Sequence, residues 1–96
     1  MARVVVAPPA WDDIARLFDF LAQRDRDAAA QAIEVIEDGV MILKRHPAIG
    51  RPVARGLREL IISHGATGYL ALYEFKQVRD LVIVLKVRHQ RELGYD

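Results

Sequence analysis

The segment Arg88-His89-Gln90-Arg91-Glu92-Leu93-Gly94-Tyr95 gathers two arginines, a histidine and a tyrosine within eight residues. Transfer of a phosphodiester to a 2′-hydroxyl needs a base, an acid and cations around the crowded phosphate. His89 can serve as acid or base because imidazole titrates near neutrality. Arg58, Arg88 and Arg91 can supply charge, and Tyr95 can stack on a base or position the phosphate. The same residues also fit a plainer reading. A histidine after a strand can be structural, the arginines can hold a partner's carboxylate, and Tyr95 can anchor the tail on a sheet.

A second basic cluster, Arg51, Arg55 and Arg58, falls in and just after a loop rich in proline and glycine. It suits phosphates or an acidic protein surface, or simply a solvated loop. The remaining chemistry is sparse. The sequence has no cysteine, one serine (Ser63) and one threonine (Thr67), which argues against hydroxyl or thiol nucleophiles. No glycine loop for phosphate and no dinucleotide fingerprint occurs. His46 and His64 lack a second ligand at metal spacing, so no metal and no cofactor is expected.

The 96 residues suit a single domain over 1–96 with a modest core. No apolar run is long enough to span a bilayer, so the expected location is cytoplasmic, away from any membrane. A net charge of +1 hides an asymmetry. Residues 1–43 hold four arginines against eight acids, a net of −4, whereas residues 44–96 hold ten basic residues against five acids, a net of +5. Such a split hints at a nucleic-acid or acidic-protein partner.

Arg3–Val6 reads as a short β-branched strand ended by Pro8-Pro9, and proline suits the first turn of a helix. Asp12 and Asp13 are expected in that turn, favourable to the helix dipole. Trp11, Ile14, Ala15, Phe18 and Leu21 follow at helical spacing through about Ala22. Trp11, Phe18 and Phe75 are expected in the core. Asp25 or Asp27 can cap a second helix whose stripe is Ala29, Ala32, Ile33, Ile36, Val40 and Leu43. Gly39 within it suggests a close approach, and Pro47 stops it. Pro47 to Gly56 reads as a loop, followed by strands at Leu57–Ile62, Tyr69–Phe75 and Leu81–Val87. In the last of these, Leu81, Ile83, Leu85 and Val87 should face one way, Val82 and Val84 the other. The expected class is α+β: an N-terminal strand, a helical hairpin, then a three-stranded antiparallel sheet. The helices cover one face, leaving the other open, occupied by the tail, or covered by a partner.

His46-Pro47-Ala48-Ile49-Gly50-Arg51-Pro52, Gly56-Leu57-Arg58-Glu59-Leu60, Gly68-Tyr69 with Tyr73, and Arg88-His89-Gln90-Arg91-Glu92 carry a resemblance by their order and spacing. The chain resembles the RelE/ParE superfamily of bacterial type II toxin–antitoxin toxins over nearly its full length. The resemblance implies one of two activities: cleavage of messenger RNA on the ribosome in the RelE branch, or poisoning of DNA gyrase in the ParE branch. Arg58 matches a basic position of the cleaving branch, while Leu60 and Leu70 replace two others. His89 falls where cleaving members place a catalytic arginine or histidine, and Tyr95 can align with a terminal catalytic tyrosine. The two lost cations and the long helical hairpin favour the ParE branch, with Arg51, Arg55, Arg58, Arg88 and Arg91 as target contacts. Under the cleaving alternative the catalytic set is His89, Arg58, Arg91 and Tyr95. An inactive relative that only binds antitoxin is a third possibility. The resemblance further implies a cognate antitoxin in a hetero-oligomer, its acidic and apolar segment lying along the hairpin and the uncovered sheet.

Overall fold

The computed structural model describes residues 1–95. β1 (Arg3–Val6) is followed by α1 (Pro8–Ala22) and α2 (Arg26–Met41), then β2 (Arg51–Pro52), β3 (Arg58–His64), β4 (Thr67–Lys76) and β5 (Leu81–His89). The sheet has five strands in the order β1-β5-β4-β3-β2. This corrects the expected three-stranded antiparallel sheet in two ways. The first strand joins it, parallel to β5, and a two-residue strand inside the expected loop pairs with β3.

The helical hairpin packs on one face. The α2 stripe buries Ala29, Ala32, Ile36 and Val40 as its spacing requires, and Leu43 follows in a short 3-10 turn. Asp25 is the cap: its Oδ1 accepts from the N–H groups of Asp27 and Ala28 at 3.0 and 3.1 Å. Gly39 meets the sheet, since a Cβ there would lie 2.8 Å from the Ile62 side chain. α1 departs from expectation in phase. Ala10, Ile14 and Leu17 are buried, but Trp11 is 50% exposed and Ala15 faces solvent. Asp13 lies past the first turn of a helix that begins at Pro8, and it is buried.

The reason lies at the edge of β5. β1 pairs with β5 only from Leu81 to Val84, after which the chain turns away into α1. Backbone groups of β5 beyond that point need another partner. Asp13 supplies one: the Val87 N–H donates to its Oδ2 at 2.8 Å, and the Lys86 ammonium donates to Oδ1 at 3.1 Å. α1 is therefore rotated to aim a carboxylate, rather than Trp11, at the sheet.

A β-bulge corrects the expected alternation of β5. Leu72 pairs with Lys86 but Tyr73 pairs with Val84, so Leu85 is an extra residue. One extra residue reverses the phase. Val87 thus joins Val82 and Val84 in the core, all at most 1% exposed. Against the helices stand Leu60, Ile62, Tyr69, Ala71 and Tyr73; the opposite face carries Glu59, Ile61, Leu70 and Leu72. Among the described residues no helix is long and apolar enough to cross a membrane.

Candidate functional site

Polar chemistry collects in two places, one on each face of the sheet. The first is a groove of about 810 Å³ between the end of the helical hairpin where α1 runs into α2 and the turn joining β3 to β4. That turn is two residues long, because β3 and β4 pair as far as His64 and Thr67. Gly65 takes φ +60 at its first position, the signature of a turn that follows strand twist. Extending the hairpin beyond its expected ends places His64 and Thr67 beside the end of β5.

Thr67 Oγ1 lies 2.6 Å from His89 Nε2, and the Arg91 N–H donates to His89 Nδ1 at 3.1 Å. Since an amide can only donate, Nδ1 accepts. The neutral ring therefore carries its proton on Nε2 and donates it to Thr67. The ring also stands edge-on to Tyr69, with centroids 5.5 Å apart. Leu17, Leu21, Ala28 and Ala32 form the apolar lining, with Phe20, 66% exposed, at its margin. Arg16, Arg91 and His64 contribute cationic or polar groups, and Arg16 meets Glu92 at 3.2 Å.

The second place is the opposite face, where Glu59 is only 5% exposed. Register puts Glu59 beside Arg51 on β2 and Leu72 on β4. Its Oε1 accepts from the Arg51 guanidinium at 2.6 and 3.0 Å, and its Oε2 accepts from the Tyr95 hydroxyl at 2.7 Å. The Arg88 guanidinium lies 5.0 Å from the Tyr95 ring centre and donates to the Glu92 carbonyl. Burial pushes the Glu59 carboxyl up, but the Tyr95 hydroxyl, Arg51 and Arg88 together outweigh it and hold the carboxyl below its ordinary range. Tyr95 moves the other way: burial and the Glu59 carboxylate push its phenol well above the ordinary tyrosine range.

A pH dependence follows. A depressed carboxyl contributes stability in full above its unfolded value of 4.5, and that contribution disappears as pH falls through the lower folded value. Wild type should therefore exceed Glu59→Gln in stability by a constant margin at neutral pH. The margin should shrink only in acid below pH 4.5, as followed by urea melts across pH. A margin unchanged down to pH 3 would remove Glu59 as the titrating group.

The expected site residues are thus divided. Arg58 pairs with Tyr73 on the helix-side face, and its guanidinium donates to the carbonyls of Ala48 at 3.1 Å and Gly50 at 2.8 Å. Arg88 pairs with Leu70 on the other face. Arg51 is matched by Glu59, while Arg55, in the left-handed region at φ 65, forms no ion pair among the described residues. His89 and Arg91 share the groove, and Tyr95 lies across the sheet from them. Sequence reasoning missed Glu59, Asp13 and Thr67. Glu59 stood in the sequence only as a member of the Gly56–Leu60 segment, where an acid between Arg58 and Leu60 is indistinguishable from a solvated strand residue.

Comparison with known proteins fits this architecture. The family described as ParE toxin of type II toxin-antitoxin system, parDE, matches residues 4–94. Toxin RelE3 of Caulobacter vibrioides is 34% identical over 92 residues, spanning 96% of this chain and 98% of that protein. Among solved structures, the chromosomal ParDE TA system from P. aeruginosa superposes with a TM-score of 0.75 at 19% identity, covering 93% of this chain and 96% of that one. The toxin–antitoxin complex RelBE2 from Mycobacterium tuberculosis gives 0.63 at 24%, covering 93% and 98%.

Proposed function

We propose a function from one premise: the chain belongs to the ParE toxin family, within the RelE/ParE superfamily of type II toxins. On this reading it arrests growth by binding and poisoning DNA gyrase, not by cutting RNA. One observation carries it. The groups that RNA cleavage would require are engaged separately: Arg58 by loop carbonyls, the Tyr95 hydroxyl by Glu59, and both nitrogens of His89 within the groove. A phenol pushed far above neutrality is also a poor proton donor for chemistry at neutral pH. Arg55 and Arg91, both exposed, remain as cationic contacts for a target.

A cognate antitoxin is the second partner in this reading, as the solved relatives come from toxin–antitoxin systems. The groove's apolar lining and its arginines suit a segment that is both apolar and acidic.

Purified protein incubated with gyrase and plasmid DNA should block supercoiling and trap cleaved DNA. His89→Ala should retain this effect and retain growth arrest in cells. A second reading has its own support, since the relative is named RelE3 and His64, His89 and Arg91 share one groove. If ribosome-bound transcripts are cut by wild type, and His89→Ala slows that cutting by about 10²–10⁴-fold, the gyrase reading fails in favour of an endoribonuclease.

A further inference from the structure

The described tail passes round the end of β5 and touches both faces of the sheet. On the groove side, the Glu92 carboxylate accepts from Arg16 of α1 at 3.2 Å and from the His89 N–H at 3.1 Å. Its carbonyl takes a hydrogen bond from Arg88, which carries the contact through to the other side. There the Arg88 guanidinium meets the Tyr95 ring, and the Tyr95 hydroxyl donates to Glu59. Few backbone hydrogen bonds hold this stretch: Gln90 N–H to Gly68 and Glu92 N–H to His89, both 3.0 Å. Leu93 is fully exposed and anchors nothing. The tail therefore keeps its place through side chains, and Glu92 is the residue common to both halves.

We propose that Gln90–Tyr95 is a clasp coupling the two faces of the sheet, with Glu92 as its pivot. An anionic group arriving in the groove and taking Arg16 from Glu92 loosens the pivot, and Tyr95 then leaves Glu59 on the opposite face. Its departure uncovers Glu59 and Arg88, whose Nε is buried with no hydrogen-bond partner among the described residues while the clasp is closed. A donor left over in this way fits an arginine that gains an acceptor when the tail lifts. The coupling is a property of the chain's own contacts and holds whichever target the toxin engages.

The three tyrosines make a direct test possible. Protein labelled with 3-fluorotyrosine gives one ¹⁹F signal each for Tyr69, Tyr73 and Tyr95, assigned with Tyr95→Phe. Glu59→Gln marks the position of a weakened latch, and Tyr73, fully buried, reports that the fold is intact. Arg16→Ala removes the contact with Glu92 and a 4.0 Å approach to Asp13, neither of them on the Glu59 face, yet it should move the Tyr95 signal toward the Glu59→Gln position. An exposed ion pair of this kind implies about a two- to fivefold rise in the undocked-to-docked ratio. Glu92→Ala should move it further, with Tyr73 unchanged in both. If Arg16→Ala leaves Tyr95 where it is in wild type, the faces are not coupled and the proposal falls, even if Glu92→Ala releases the tail.

Discussion

Asp13→Ala is expected to lower the unfolding free energy by about 3 kcal/mol. The carboxylate does two jobs at one place. It accepts the Val87 N–H where β5 has run past the end of β1, and it holds the Lys86 ammonium in partly buried surroundings. Alanine strands both donors, and a strand N–H with no acceptor costs more than the bond itself was worth. Asp13→Asn separates the contributions. Its amide oxygen can still take the Val87 N–H but no longer opposes a positive charge, so the loss should fall to about 1 kcal/mol. Urea denaturation of the three proteins measures this. Equal losses for the two variants would mean that the ion pair, not the strand edge, is what Asp13 serves.

The second large effect is expected at Tyr73. Its ring is fully buried, its hydroxyl donates to the Pro47 carbonyl at 2.8 Å, and it accepts the Gly50 N–H at 2.9 Å. Tyr73→Phe keeps the ring and strands both loop groups, at a cost of about 2–3 kcal/mol. Gly50→Ala attacks the same contact from the other side, since a Cβ there would stand 2.6 Å from the ring and 2.7 Å from the hydroxyl. Neither the core tyrosine nor the adjoining backbone has room to give, so about 2 kcal/mol is expected. Both changes free the loop that Arg58 grips through Ala48 and Gly50. The double variant should lose less than the sum of the two, because they disable one contact. Full additivity would show that loop and tyrosine are independent. Limited proteolysis near Ile49 supplies a second readout, with faster cleavage in each variant.

Much of this architecture was legible because it rests on periodicity and breakers. The α2 stripe, a cap at Asp25 or Asp27 and the middles of the three long strands follow from spacing alone, although the α-helix itself stops at Met41, before Pro47 is reached. What escaped depends on contacts between distant parts of the chain. Trp11 fits an apolar stripe, and only the need of a β5 edge for an acceptor turns Asp13 inward instead. The Leu85 bulge is set by pairing with β4, and nothing in Leu81–Val87 itself marks which residue is surplus. β2 is two residues long and carries Pro52, so no local pattern announces a strand.

The candidate site was legible as a set of residue types but not as an arrangement. His89 and Arg91 are neighbours in sequence and stay neighbours in the groove. Arg58 and Arg88 are parted by the sheet itself, because residues that differ in register parity project from opposite faces. Glu59 was hidden for a related reason: an acid on a strand's outer face is buried only if something folds back over it, and here that is Tyr95 from far along the chain.

The parallel union of β1 with β5 has a consequence for synthesis. In a nascent chain β1 emerges long before the neighbour that it requires, since Arg3–Val6 pairs with Leu81–Val84. Helices and the β3–β4 hairpin can form as they emerge, whereas the sheet cannot be completed until Leu81–Val84 appears. Elongation that stalls before Leu81 therefore leaves β1 without its partner, and the five-stranded sheet closes only once β5 has emerged.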